Sequence, residues 1–499
     1  MNNKLIAKIA LSILVIQFLQ ACKKQEGCTD PTANNFSIEA EKACDNCCTY
    51  PTNTDTIANT IKITDNGLGT GTTTWTNNNV YLLEGFVFVN DGQTLTIEPG
   101  TVIKGKSGQG ANASALIIAK GGKIMAEGTK ELPIIFTFEN DPLDGSIPIS
   151  TKGQWGGIIV LGNAQLNSSP GTSQIEGIPT SESRGLYGGN NDLDNSGVLT
   201  YISIRHGGTD IGAGNEINGL TLGGVGSGTS IEFIEVIANK DDGVEFFGGT
   251  ATLKHAIVSF CGDDAYDYDE GYRGKGQFWL AIQENTSGNR GGEHDGGTTP
   301  EDGAPYAHPI ISNATYIGRG ISSGERALTF RDNAAGEYHN SIFFNWGKGI
   351  DIENLASGED AYERFLDGEL VIKNNVFWDV NVLGTSASSS DIFKISMGDG
   401  WNSAIDSTTE LNASSSNFQA SFDSKNNQVL DPGLNYSFNL NGINVVPSMS
   451  VLSSPVNDSW FTTVNYVGAF ESSSENWAKG WTLTGGHQPG DASSESYLQ

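Results

Sequence analysis

Hydrophobic and polar residues alternate along this chain in short runs and almost nowhere in long ones. Residues 80–89, 94–103, 115–119, 134–138 and 157–161 are rich in Val, Ile, Leu or Phe. Gly, Asn or Pro bounds each run, the mark of strands that end in turns. No long stretch carries the 3.6-residue period of an amphipathic helix, so the chain is predicted to be all-β. With no helices between them, the strands cannot form a βαβ sheet. Parallel strands joined by turns alone close a core only by coiling, each stacking on the next about 4.8 Å away.

The coil period is written into the chain. Asn239-Lys240-Asp241-Asp242-Gly243-Val244-Glu245-Phe246 is followed 22 residues later by Cys261-Gly262-Asp263-Asp264-Ala265-Tyr266-Asp267-Tyr268. A weaker third copy is Lys348-Gly349-Ile350-Asp351-Ile352-Glu353-Asn354. A repeat of this length built on alternating residues marks a stacked solenoid. On that step Val244 should stack on Tyr266, Phe246 on Tyr268 and Leu95 on Ile117.

Parity then separates the roles. Val244, Phe246, Tyr266, Tyr268, Ile350 and Ile352 are predicted to face inward, and Glu245, Asp267 and Asp351 outward. Asp269 and Glu353 follow two positions on. Two stacked carboxylates repel, so one takes a proton or a cation neutralises both. Glu245, Asp267 and Asp269 are therefore the candidate metal ligands, with calcium the fitting ion. The turn residues Asp241, Asp242, Asp263 and Asp264 add oxygens just upstream. The plainest reading of such residues is solvated turns that hydrogen-bond their own backbone, and it stays open.

Charge narrows the partners. The chain holds 28 basic and 58 acidic residues, a formal net charge of −30, with no basic stripe of the kind nucleic acid needs. Against this background the few cations stand out. Arg331, at the turn after Ala327-Leu328-Thr329-Phe330, Arg273, and His294 in Glu293-His294-Asp295 are the candidate ligand-binding residues. His294 falls in 285–309, a Gly-rich polar stretch predicted to project as a loop. Residues 385–417 are predicted to form a second excursion. Trp477 and Trp481 are expected to fold back over the open end of the coil. Trp279, Trp346, Trp378 and Tyr272, if exposed, could stack on sugar rings.

At the amino terminus Lys4 and Lys8 precede an apolar run over 9–19, too short to span a bilayer comfortably. It ends in Leu19-Gln20-Ala21-Cys22, which resembles the lipobox of bacterial lipoproteins. The resemblance implies cleavage before Cys22, a lipid on that cysteine and an outer-membrane address, with the side of the membrane open. Cys28, Cys44, Cys47 and Cys48 crowd behind it and read as disulfides in an exported protein, with three pairings possible. The segment from Gly27-Cys28-Thr29-Asp30-Pro31 to Cys48-Thr49-Tyr50-Pro51 resembles a small cysteine motif of exported Bacteroidetes proteins. That resemblance implies Cys28–Cys48 and leaves Cys44–Cys47. Cys261 is expected in the core as a small apolar residue.

Leu95-Thr96-Ile97-Glu98-Pro99-Gly100-Thr101-Val102-Ile103, Gln154-Trp155-Gly156-Gly157-Ile158, Ser203-Ile204-Arg205-His206-Gly207-Gly208 and the Asp-rich repeat resemble a family of β-helical lipoproteins from Bacteroidetes. This implies a right-handed parallel β-helix, pectin-lyase-like, with a short Cys-rich segment before it. The division is then a leader over 1–21, a Cys-rich tether over 22–56, the β-helix over 57–470 and a tail or cap over 471–499. The Asp-rich blocks also resemble the first two motifs of polygalacturonase-type glycoside hydrolases, which would make Asp241, Asp263 and Asp264 catalytic. That family's Gly-His-Gly block and Arg-Ile-Lys clamp are absent. The favoured function is a lipid-anchored envelope protein that binds a glycan or another extended surface polymer, with calcium. A polysaccharide hydrolase or lyase, or a structural envelope protein without a small ligand, are the alternatives. Nothing in the sequence fixes an oligomeric state.

Overall fold

The computed structural model describes residues 26–27, 40, 42–43 and 59–486, apart from 213–214, 298, 402–403, 437–442 and 473–475. The expected leader, Cys22 as the expected lipid site and the expected pairs Cys28–Cys48 and Cys44–Cys47 lie outside the described residues. The chain divides into two units, Met1–Asn59 and Thr60–Gln499. In the first, Glu26–Gly27 pairs in parallel with Lys42–Ala43.

The second unit is a parallel β-helix. One wall, here named the second sheet, stacks ten strands in chain order. They are β1 (Phe86–Val89), β2 (Ala115–Ile118), β3 (Ile158–Leu161), β4 (Leu220–Gly223) and β5 (Val244–Phe247). β6 (Tyr266–Asp269), β7 (Gly292–Asp295), β8 (Arg326–Arg331), β9 (Lys348–Asn354) and β10 (Phe393–Met397) follow. An 18-stranded sheet forms the rest of the wall, including Gly197–Arg205, Ser230–Ile237, Thr252–Ser259 and Lys275–Ile282. Val244 pairs with Tyr266, Glu245 with Asp267 and Phe246 with Tyr268, as the 22-residue repeat requires. Val244, Phe246, Tyr266, Tyr268, Ile350 and Ile352 are buried in one core. Alternation alone decides this, because neighbouring side chains on a strand point to opposite faces.

The larger sheet turns its corner through left-handed residues. Tyr201, Phe233, His255 and Phe278 have φ of 50°, 55°, 58° and 59°. That conformation costs a non-glycine residue roughly 1–2 kcal/mol. Here each strained residue stacks on the next, with ring centroids 4.2, 4.4 and 4.9 Å apart. The same corner continues through Asn313, Asn340 and Asn374, a residue type that tolerates the left-handed region. Asn374 Nδ2 donates to Asn340 Oδ1 at 2.8 Å, so an amide ladder replaces the aromatic one.

Several expectations are corrected. Leu95 pairs with Thr73 and Ile124, while Ile117 lies in the other sheet beside Phe88 and Ile159. The coil length varies, so one step cannot be carried along the whole chain. Residues 80–89 and 94–103 are each two strands, turned at Gly85 and Gly100 in the left-handed region. The predicted loop over 285–309 contains β7, a full member of the second sheet. The predicted excursion over 385–417 contains β10 and the start of a 21-residue helix, Ala404–Ser424. That helix buries only Ser414, Phe418 and Phe422, too sparse an apolar stripe to announce itself. Phe418 packs on Phe393 at 4.8 Å and Phe422 on Phe377 at 5.2 Å, so the helix covers the last coil.

Trp477 and Trp481 do not cap that end. The chain from about 452 runs back along the side of the solenoid. Leu452 O accepts from Asn374, Ser454 N donates to Asn340, and Thr462 N donates to Gln277. Leu483 N and Thr484 N donate to buried Glu235 at 2.8 and 2.7 Å. Trp477 and Trp481 lie edge-on against the Tyr201–Phe233–His255 column. This strap shields an aromatic ladder that would otherwise be exposed.

Candidate functional site

The outer face of the second sheet carries two columns of polar side chains. The first runs Thr221, Glu245, Asp267, Glu293, Thr329, Asp351 and Lys394 from β4 to β10. The second, two positions on along each strand, includes Asp269, Asp295, Arg331 and Glu353. The sequence repeat therefore makes a charged stripe along the coil axis.

Cations from this face and the turns beside it bind part of the stripe together. Arg331 pairs with Asp295 through both Nε (2.7 Å) and Nη2 (3.0 Å), and its Nη2 lies 2.5 Å from Glu293. Burial works against its charge, but the two carboxylates outweigh this and raise its pKa above the ordinary value. Arg290 Nη1 bridges Asp264 (3.0 Å) and Glu293 (2.8 Å). Arg326 Nε donates to Asp351 at 2.7 Å. These three arginines, with Thr329, Phe330, Asp351, Glu353 and Ser396, line a cleft of about 190 Å³.

A second cleft of about 390 Å³ opens on the same sheet near β5 and β6. Ser168, Ser173, Gln174, Glu176 and Tyr187 line it from a segment between β3 and the next coil. Phe247, Asp269 and Glu270 complete its floor. Ser168 Oγ and the Tyr187 hydroxyl both donate to Glu270, at 2.7 and 2.5 Å. The sequence reading missed this segment, because its two-residue strand pair, Ser173–Gln174 with Leu186–Tyr187, carries no periodicity to detect.

On the β5 and β6 coils beside the larger cleft, Asp241, Asp242, Glu245, Asp263 and Asp267 form no ion pair with an arginine among the described residues. One oxygen each from Asp242, Glu245 and Asp267 lies within 4.8 Å of the others, and so does one each from Asp241, Asp242 and Asp263. Burial pushes the carboxyls of Asp242, Glu245 and Asp267 well above the usual carboxylate range, and their neighbours' charges add to it. Asp241 is pushed up to about 7, first by burial and then by Glu176, Glu216 and Asp263.

The predicted site residues separate accordingly. Asp241 and Asp263 come together, but Asp264 is 1% exposed and turned to Arg290. Its role is to hold the turn, where a catalytic carboxylate would need access. Of the expected metal ligands, Glu245 and Asp267 converge with Asp242. Asp269 belongs to the other column and lines the larger cleft. Arg331 lines the smaller cleft. Arg273 is paired with Asp192 at 3.0 Å and does not line it.

His294 is corrected most sharply. It sits in β7 with its ring in the core, 0% exposed, stacked on Tyr268 at 4.1 Å, and its Nε2 lies 2.8 Å from the Tyr338 hydroxyl. Parity explains it: Glu293 and Asp295 face out, so His294 faces in. Gly292 leaves room for the ring, since a Cβ there would meet His294 at 2.4 Å. Trp279, Trp346 and Tyr272 are likewise buried in the core, which removes them as sugar platforms. Cys261 is a free buried thiol, pushed up to about 12 by burial.

The chain matches a family model described as a pectate-lyase-like β-helix domain over residues 67–482, and it belongs to that family. No curated protein and no solved structure matches it.

Proposed function

We propose that this member of the pectate-lyase-like β-helix family binds a glycan or a similar extended surface polymer along the outer face of its second sheet. Its place is the cell envelope, held at the outer membrane by lipid on Cys22. One observation carries the reading: two clefts open on one strand face, lined by hydroxyls, carboxylates and guanidinium groups. These are the groups that hydrogen-bond sugar hydroxyls, and a bidentate arginine adds orientation. The coil step of about 4.8 Å repeats such groups along the axis, which suits a ligand that is itself repetitive.

A polysaccharide hydrolase is the second reading, favoured by Asp241, whose carboxyl titrates near neutrality as a general acid requires. Its geometry is less favourable. Inverting hydrolysis needs carboxyls roughly 6.5–9.5 Å apart and retaining hydrolysis about 5–5.5 Å. The nearest oxygens of Asp241 and Asp263 are within 4.8 Å of each other, which suits a shared proton or cation better.

A glycan array followed by calorimetry on the purified protein tests the proposal. Arg331→Ala should weaken binding of a hit by about tenfold or more, the scale of a charge-assisted hydrogen bond. Arg273→Ala, which alters a pair outside the cleft, should leave binding unchanged. Absence of any hit, or equal loss in both variants, would remove the reading. Sugar release from a bound polymer that Asp241→Asn abolishes would instead establish the hydrolase.

A further inference from the structure

The two clefts on the strand face share one property: among the described residues that line them, neither offers an uncommitted cation. The larger, of about 390 Å³, is lined by three carboxylates, Glu176, Asp269 and Glu270, with hydroxyls and the Phe247 ring, and by no lysine, arginine or histidine. Burial raises the Glu176 carboxyl; the Asn218 amide offsets part of this, and the charge of Asp269 adds to it. A wall that resists its own negative charge resists a ligand's as well. The smaller cleft holds three arginines, and each is committed to the protein's own acids. Arg331 is forked onto Asp295 and touches Glu293, Arg290 joins Glu293 to Asp264, and Arg326 is bound to Asp351. A carboxylate arriving there would have to displace one of these acids, beside Glu353.

We propose, on the glycan-binding reading above, that this face takes polysaccharides without acidic groups, with Glu176 and Asp269 excluding uronates and sulfated sugars by repulsion. The linings supply what an uncharged sugar needs. Carboxylate oxygens accept from sugar hydroxyls, and the Ser and Thr hydroxyls of the larger cleft both donate and accept. Arg331 is bound through Nε and Nη2, which leaves Nη1 to donate to a sugar oxygen. An acidic sugar brings a charge for which neither cleft holds a counter-ion. Like charges pressed together at a contact that sheds water are an effective way to reject a wrong ligand. Amine-bearing sugars meet no such barrier and belong to the accepted class.

An array of uncharged, amine-bearing, uronate and sulfated oligosaccharides, followed by calorimetry on the full-length protein in EDTA and again with calcium, tests this. The best uncharged or amine-bearing hit should bind at least about 100-fold more tightly than oligogalacturonate of the same length in both buffers. Glu176→Gln combined with Asp269→Asn should narrow that ratio about tenfold. Glu127→Gln combined with Glu131→Gln removes the same charge from exposed positions off this face and should leave the ratio unchanged. Salt reads the same effect in the wild-type protein, even if the first pair of substitutions prevents folding. Between about 0.1 M and about 1 M, where the Debye length falls from about 10 Å to about 3 Å, oligogalacturonate binding should strengthen and uncharged binding should hold. A uronate or sulfated hit within about tenfold of the best uncharged one, in either buffer, would overturn the selection and leave glycan binding standing. So would a gap that salt does not narrow, or one that both pairs of substitutions narrow equally. No hit of any class would remove glycan binding itself, and the selection with it.

Discussion

His294 and Asp242 show how little residue type decides by itself. A histidine between two acids, in a Gly-rich stretch, has the composition of a catalytic loop, yet parity turns its ring into an aromatic stack. Burial lowers its pKa to about 3, so the imidazole stays neutral through the physiological range. Its ring signals in an NMR titration should hold the neutral form from pH 5 to pH 8; a midpoint near 6.5 would show a solvated residue. Asp242 is the reverse case. As an Asp before Gly it reads as a turn former, and it does accept a backbone N–H, but its carboxyl also joins Glu245 and Asp267. The outward placement of Glu245 and Asp267 was legible from alternation. Their company was not: Asn218 and Asp242 reach them from two different turns.

At the scale of elements, β5, β6 and β9 followed from the repeat, whereas β7, β10 and the pieces that cover the solenoid did not. The helix Ala404–Ser424 buries only three side chains, and the carboxy-terminal strap forms no regular helix or strand among its described residues, so neither leaves a periodic pattern. What holds the strap is specific. Glu235, fully buried, accepts from Leu483 N, Thr484 N and the Ser203 hydroxyl. Glu235→Ala removes all three acceptor contacts and should destabilise the strap by about 1–3 kcal/mol. Limited proteolysis should then cut in 471–486 while the coils stay intact. Cleavage unchanged from wild type would show that Trp477 and Trp481 suffice to dock it.

For the whole molecule, the acid-rich face makes stability depend on pH. Asp241 and Asp332 are both pushed up to about 7, chiefly by burial, against about 3.9 for an unfolded chain. A folded-state pKa above the unfolded one means that the native protein binds more protons between those values. Stability therefore falls as pH rises from about 4 to 7 and levels off above. His294 works the other way below about pH 6.5, where the unfolded residue takes a proton and the folded one does not. In EDTA the melting temperature should therefore drop between pH 6.5 and 7.5. A flat or rising profile there would show that the buried acids are already compensated. With a formal charge of −30, added salt should also raise Tm by screening self-repulsion.

The sequence by itself determined the class of fold, the register of its central coils and the faces of their strands. Each of these is a local property: alternation sets the face, and a repeated turn sets the step. Only the tertiary structure decided which acids meet, which arginines are already paired, where the coil is capped and that His294 is core. Those depend on segments of irregular length, such as the one bearing Glu176 and Tyr187, which return to the strand face from far along the chain. Loop closure over such lengths costs little and leaves no periodic trace in the residues that do it.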